Sequence, residues 1–296
     1  MSSPVRDYVE LMKPRIVALV LVTAVAGVVA ERSLLADPLR LLLVLLGITL
    51  TAGSANAFNQ YFERDLDAQM ERTRARRPLP LHRLPARNAL VFAIGIGAAA
   101  TAILALVGNA LAAALAFGTI LFYGFFYTLW LKPRTVHNIV IGGAAGAMGP
   151  VIAWAAGAGT LALPPVLMFL VIFLWTPPHF WALAVCVRDD YRKVNIPMLP
   201  IVRGEAETFR QIVWYSVALA LLTVVMPFLN AGGLILAVVA LPLSALFVWK
   251  AVRARRAASV ERAWDVFGYS IVYLFALFLG IIADAIWHVP LGGLLS

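Results

Sequence analysis

The sequence is poor in the residues that soluble enzymes rely on. Cys186 is the one cysteine in 296 residues, so no intramolecular disulfide framework and no cysteine-based zinc or iron–sulfur site can form. Charged residues make up only 13% of the chain against 62% hydrophobic, where soluble domains are about half apolar and about a quarter charged. With a mean hydropathy of +0.89, the chain needs a bilayer as its solvent. No low-complexity tail or soluble domain is visible, and residues 1–296 are expected to form a single transmembrane domain. The net charge of +9 then reflects membrane topology rather than nucleic-acid binding.

A helix crossing the hydrocarbon core needs about 20 mostly apolar residues. Nine such runs are present: Ile16–Ala30, Leu39–Phe58, Leu90–Val107, Ala110–Leu131, Ile139–Ala156, Val166–Val187, Ile212–Leu229, Gly233–Val252 and Phe267–Trp287. The expected fold is an all-α, polytopic bundle of nine transmembrane helices. The first run has the look of a signal peptide, but only further apolar runs follow it. Every Lys and Arg except Arg32 and Arg40 falls in the N-terminal segment, at the end of span eight (Lys250) or in the segments after spans two, four, six and eight. By the positive-inside rule the N-terminus is cytoplasmic, and nine spans put the C-terminus outside.

Basic residues satisfy topology without help from acids, so the carboxylates in two of these loops need another explanation. The first runs from Asn59 through Glu63, Asp65, Asp67 and Glu71 to Arg72, Thr73, Arg74, Arg76 and Arg77; the second holds Arg188, Asp189, Asp190, Arg192 and Lys193. If span two continues as a helix, Asn59, Glu63 and Asp67 recur at i, i+4 and i+8 as one stripe about 12 Å long. Three oxygen-bearing side chains make a poor cage for Mg²⁺ but suit a partial shell completed by substrate phosphates and water. The arginines downstream match phosphate oxygens in a bidentate fork. Two such half-sites at one mouth of the bundle would hold a diphosphate between them. The same residues could equally be juxtamembrane charges pairing with Arg64 and Arg72, each pair worth a few tenths of a kcal/mol. Spacing does not choose between these readings.

His179 lies inside a span, about 15 Å deeper than the Asp pair if the segment is helical. Pro177 and Pro178 precede it and are expected to break the local hydrogen-bond ladder. An ionisable group at that depth is a functional candidate. Either it contacts a ligand, or it is a neutral imidazole bonded to a carbonyl freed by the prolines. His82 and His288 read as loop or interface residues. Gly142, Gly143, Gly146 and Gly149 have the spacing of close helix packing, and Pro227 and Pro242 are expected to kink spans seven and eight.

Several segments carry a resemblance: Lys13-Pro-Arg-Ile, Asn59 to Thr73, Tyr127-Thr-Leu-Trp-Leu-Lys132-Pro-Arg134-Thr, Asn138-Ile-Val-Ile-Gly-Gly-Ala-Ala-Gly-Ala, Trp175-Thr-Pro-Pro-His179-Phe-Trp181 and Pro197-Met-Leu-Pro200. Together they resemble the intramembrane (UbiA-type) prenyltransferase superfamily and, within it, the protohaem IX farnesyltransferase (haem O synthase) branch. There are departures. Gln60 and Glu63 stand where the superfamily's first motif usually has aspartates, and Val187 occupies an apparent first-acid position of the second.

The resemblance implies transfer of the farnesyl group of farnesyl diphosphate to a vinyl group of haem b, giving the hydroxyethylfarnesyl side chain of haem O. It implies Mg²⁺ as cofactor, with Asn59, Glu63 and Asp67 as the metal–diphosphate residues and Asp65 in support. Asp189 and Asp190 would bind a second ion or orient Arg188. Arg72, Lys132, Arg134, Arg188, Arg192 and Lys193 would meet the diphosphate or the haem propionates. His179, His137 and Trp181 would contact haem. The implied location is a bacterial-type inner membrane with the active site facing the cytoplasm, and the implied partner a downstream haem-modifying enzyme or terminal oxidase assembly. An alternative keeps the fold and changes the acceptor to a quinone-precursor aromatic acid. A secondary transporter is a more distant alternative, disfavoured because the charges cluster at one mouth and no internal repeat is evident.

Overall fold

A computed structural model describes residues 4–287 and 289–290; His288 lies outside the described residues. Among them are nine helical segments long and apolar enough to cross a membrane, in agreement with the expected number. An amphipathic helix, α1 (Pro4–Met12), precedes them. The spans are α2 (Pro14–Glu31), α3 (Pro38–Asp67), which is followed by the single-turn α4 (Glu71–Arg74), α5 (Ala86–Ile103) and α6 (Ala110–Leu121). The fifth is divided into α7 (Asn138–Gly146) and α8 (Met148–Ala158), and the sixth is α9 (Leu163–Cys186). The short helices α10 (Arg188–Lys193) and α11 (Leu199–Val202) lead into α12 (Gly204–Val225), α13 (Leu234–Ala257) and α14 (Val260–Ile286).

Most helices outrun the apolar runs that announced them. Span two continues from Phe58 to Asp67, and span seven begins at Gly204 rather than Ile212. Hydropathy falls at the first charge, whereas the backbone ladder continues while each amide finds its i−4 carbonyl. Span five divides where Pro150 has no amide to give the Gly146 carbonyl. By contrast, α9 runs unbroken through Pro177 and Pro178. The prolines remove two amide donors but do not end the helix.

The chain closes on itself, with α14 packed against α2 as well as α9 and α13. One apolar core joins α9, α12, α13 and α14; a second lies among α2, α3, α6 and α8. Within a bilayer, helices associate through close packing rather than exclusion from water. A Cβ on Gly149 would come within 3.1 Å of the Val20 carbonyl oxygen, and one on Gly142 within 2.4 Å of the Tyr127 ring. Gly143 abuts Thr176, while Gly146 faces open space. The packing reading therefore holds for three of the four glycines.

Candidate active site

The extension of α3 to Asp67 puts Asn59, Glu63 and Asp67 on one face of a single helix, with 2%, 5% and 2% exposure. Burial at this level distinguishes them from solvated juxtamembrane charges. Three cations converge on the stripe. Lys13 donates from Nζ to Asn59 Oδ1 at 2.8 Å, Lys132 donates to Glu63 Oε1, and Arg77 pairs with Asp67 while lying 4.0 Å from Glu63 Oε2. Arg64 and Arg72, the partners expected of ordinary surface charges, are not the ones the stripe meets: Arg64 turns back to Tyr61.

Each cation arrives by a definable route. The last carbonyls of α1 have no intrahelical donors, and side chains of α3 supply them. Gln60 Nε2 donates to the Glu10 and Leu11 carbonyls, both at 3.0 Å, and Asn56 Nδ2 to that of Met12 at 3.1 Å. An aspartate at position 60 would have no proton to give, which accounts for glutamine there. So clamped, the chain passes through Lys13 in a left-handed conformation (φ 57°, ψ 67°) before α2 begins at Pro14. Burial, followed by the nearby Arg77 charge, pushes the Lys13 ammonium well below the usual lysine range. Arg77 is set by α4 and the turn that follows it: Thr73 Oγ1 donates to the Asp67 carbonyl at 2.8 Å and Arg77 N to the Thr73 carbonyl at 2.9 Å.

Lys132 depends on an irregularity. After α6 the chain is π-helical from Phe122 to Leu131, with Lys132 N donating to the Tyr127 carbonyl, five residues back, at 2.8 Å. In an α-helix, Tyr123 and Lys132 would lie about half a turn apart, at roughly 100° per residue. The i→i+5 ladder keeps positions 123, 127, 128 and 132 on one side. There Tyr123 and Tyr127 stack with centroids 5.0 Å apart, and Thr128 Oγ1 accepts from Asn59 Nδ2 at 3.2 Å.

The stripe offers two carboxylates and one amide oxygen, hard donors of the kind Mg²⁺ takes, but too few to enclose it. No group of three or more His, Cys, Asp or Glu capable of holding a metal occurs among the described residues. The residues present therefore fit an ion whose remaining ligands come from substrate. With Lys13 protonated, the cluster holds three cations against two acids, with an amide as the partner of Lys13. It is built to receive an anion.

The second loop is arranged differently. Asp190 accepts from the backbone amides of Glu71 and Arg72 at 3.1 and 3.0 Å, capping α4 from the other loop. Asp189 is 74% exposed at its side chain and lies 3.4 Å from Arg192; Asp65 is 85% exposed beside Arg64. Arg188 pairs with Glu205, and Lys193 donates to Glu71 Oε1 at 2.7 Å. Arg134 donates to the Leu129 and Trp130 carbonyls. Of the six basic residues expected at a diphosphate, Lys132 reaches the stripe. Arg72 keeps a buried Nε with no acceptor among the described residues, its guanidinium 6.0 Å from the Tyr191 ring. Asn138 ties the loops from beneath, donating to the Thr135 carbonyl at 2.6 Å and to that of Pro197 at 3.4 Å.

The three expected haem contacts also separate. His137 is exposed at the start of α7. Trp181 is buried, edge-on to Tyr215, with its indole N–H unpartnered among the described residues. His179 is bonded to Ser270, not to a carbonyl freed by the prolines. Lys13, Gln60, Tyr127 and Thr128 stand out in the sequence only as members of resembling segments, with no role assigned, and Tyr123 carries no signal at all. Lysines near a cytoplasmic helix end are explained by topology, and a π-helical stretch leaves hydropathy unchanged.

The chain has known relatives in sequence and in fold. Residues 20–282 match the UbiA prenyltransferase family. The chain is 43% identical over 284 residues to the protoheme IX farnesyltransferase of Nostoc sp., covering 95% of this chain and 89% of that protein. It is 46% identical over 277 residues to the protein of that name from Parvibaculum lavamentivorans, covering 92% and 86%. A structure of digeranylgeranylglyceryl phosphate synthase shares the fold at a TM-score of 0.79 and 19% identity, over 96% of this chain and 99% of that one. So does a UbiA homologue from Archaeoglobus fulgidus bound to GPP and Mg²⁺, at 0.67 and 17%, over 93% and 99%. The chain belongs to the UbiA prenyltransferase family.

Proposed function

We propose that this membrane enzyme transfers the farnesyl group of farnesyl diphosphate to a vinyl group of haem b, forming haem O. The observation that carries the reading is the buried stripe of Asn59, Glu63 and Asp67 facing Lys13, Arg77 and Lys132. The haem acceptor follows the relatives named protoheme IX farnesyltransferase, which match nearly the whole chain.

Asn59, Glu63 and Asp67 would hold Mg²⁺ against the diphosphate; when bound, the ion supplies charge stabilisation to the leaving group. The chain's own groups do the rest. Lys13, Arg77 and Lys132 exchange their present partners for phosphate oxygens. They are preorganised, so stabilising the charge released as the C1–O bond breaks needs little rearrangement. The buried setting excludes bulk water from the allylic cation. The vinyl π electrons then form the new bond to farnesyl C1, one water adds to the resulting porphyrin-side cation, and its proton leaves with the diphosphate. His179, within span six, would be the haem contact. The asymmetry of basic residues supports placing the stripe at the cytoplasmic face of a bacterial-type inner membrane.

Detergent-purified protein incubated with haem b, farnesyl diphosphate and Mg²⁺ should yield haem heavier by one farnesyl group and one hydroxyl group, detected by mass spectrometry and abolished by EDTA. Protein that binds haem b and hydrolyses or retains farnesyl diphosphate without forming this product would overturn the acceptor assignment.

A further inference from the structure

His179 is held on three sides. Its imidazole stacks between Trp175, with centroids 4.2 Å apart and planes at 17°, and Phe267, at 4.7 Å and 25°. Its Nδ1 lies 2.6 Å from Ser270 Oγ. Ser270 in turn places its Oγ 2.6 Å from the Phe267 carbonyl, the back-bonding contact typical of serine inside a helix. A hydroxyl has one proton, and a carbonyl can only accept. The Ser270 proton therefore goes to Phe267, and Oγ can meet Nδ1 only as an acceptor. The imidazole proton must sit on Nδ1, which leaves Nε2 with a bare lone pair. Among the described residues that nitrogen has no hydrogen-bond partner, and His179 is only partly buried.

We propose that Ser270 is a positioning residue that fixes His179 as the Nδ1–H tautomer and presents Nε2 as a ligand to the iron of the haem substrate. The proposal rests on the haem-acceptor reading above. Metal-binding histidines characteristically donate their other ring N–H to an oxygen, which sets the tautomer and raises the basicity of the ligating nitrogen. Ser270 does this with its hydroxyl, and its main-chain carbonyl accepts from Trp175 Nε1 at 2.7 Å. One residue of α14 thus orients both the imidazole and the ring stacked on it. The Trp175 and Phe267 rings prevent the imidazole from rotating, so only the Nε2 edge is left for a ligand. The other described histidines lack this frame: His137 is exposed, and His82 sits in a turn at φ 52°.

The test is haem b binding to the full-length purified protein, followed by absorption titration and resonance Raman spectroscopy of the iron–imidazole stretch. His179→Ala should lose that stretch and regain a nitrogen ligand when free imidazole is added. Ser270→Ala should keep farnesyl diphosphate affinity, weaken haem b binding by about 10-fold or more and lower the stretching frequency, because the ligand is less basic. Ser270→Thr, which retains the hydroxyl, should restore both. If Ser270→Ala binds haem b with wild-type affinity and an unshifted stretch while His179→Ala loses it, Ser270 has no positioning role. If His179→Ala leaves the spectrum unchanged, iron ligation by His179 fails and this proposal falls with it, while product formation by the wild type still decides the acceptor separately.

Discussion

Glu63→Gln is the most informative single change, because it keeps the side chain's shape and removes its charge. Glu63 is 5% exposed, with Lys132 on Oε1 and Arg77 4.0 Å from Oε2. Breaking a buried ion pair by neutralising one member costs about 3–5 kcal/mol when the remaining charge is fully isolated. Here Lys132 keeps 15% side-chain exposure, and the new amide oxygen can still accept its hydrogen bond, so the expected loss falls below that range, about 2–3 kcal/mol. The effect on turnover should be larger than stability explains. Removing one of the two carboxylates that would hold the metal–diphosphate forfeits about 3 kcal/mol of transition-state stabilisation, roughly 100-fold in rate. Glu63→Asp keeps the charge one methylene shorter and should stay within about 10-fold of wild type. Haem O formation would be measured at saturating Mg²⁺, well below the melting onset of each variant, on monodisperse protein. A folded Glu63→Gln protein with wild-type, Mg²⁺-dependent turnover would refute the reasoning, and an equal loss in Glu63→Asp would show that geometry rather than charge is decisive.

Three further outcomes are expected. Burial and Arg77 hold Lys13 below the usual lysine range, so an arriving diphosphate should restore its charge and take up a proton. Affinity for a farnesyl thiodiphosphate then falls as pH rises between the free and bound pKa values; calorimetry in buffers of different ionisation enthalpy measures the uptake, which Lys13→Met should abolish. Asp190 caps α4 by accepting a different backbone amide on each carboxylate oxygen, so Asp190→Ala should cost about 1–2 kcal/mol of stability, and Asp190→Asn, which keeps one acceptor oxygen of the two, about 1 kcal/mol in thermal unfolding, with turnover of the folded protein near wild type. Equal large losses of turnover in both would instead make Asp190 a metal ligand. Gly142→Ala would put a Cβ 2.4 Å from the Tyr127 ring, costing about 1–3 kcal/mol through overpacking; an unchanged melting temperature would show that the ring can move aside.

The number of spans and the acid stripe were legible in the sequence for physical reasons. Twenty-residue apolar runs have few alternatives in a bilayer, and i, i+4, i+8 spacing on a continuing helix fixes a common face. Helix ends were less legible: hydropathy stops at the charges of Glu63 or Glu205, but the backbone ladder does not. What sequence could not reveal is which charges meet. Arg77, Lys132 and Lys13 reach the stripe from three separate segments, while Arg134, Arg188 and Arg192, similar in sequence terms, are occupied elsewhere. The acids of the second loop resembled a second half-site, yet Asp190 is engaged with main-chain amides of the first loop. Ser270 lies about ninety residues from His179, and only the packing of α14 on α9 connects them.

The claim on which the account rests is that Asn59, Glu63 and Asp67 hold a divalent ion together with a prenyl diphosphate. Mn²⁺ in place of Mg²⁺ permits a direct measurement, by pulsed electron–nuclear double resonance on purified protein with farnesyl thiodiphosphate. The account predicts phosphorus coupling to the bound ion in the wild type, and its loss in folded Asp67→Asn protein. Phosphorus coupling that persists unchanged in Asp67→Asn and Glu63→Gln would place the ion elsewhere and contradict the account.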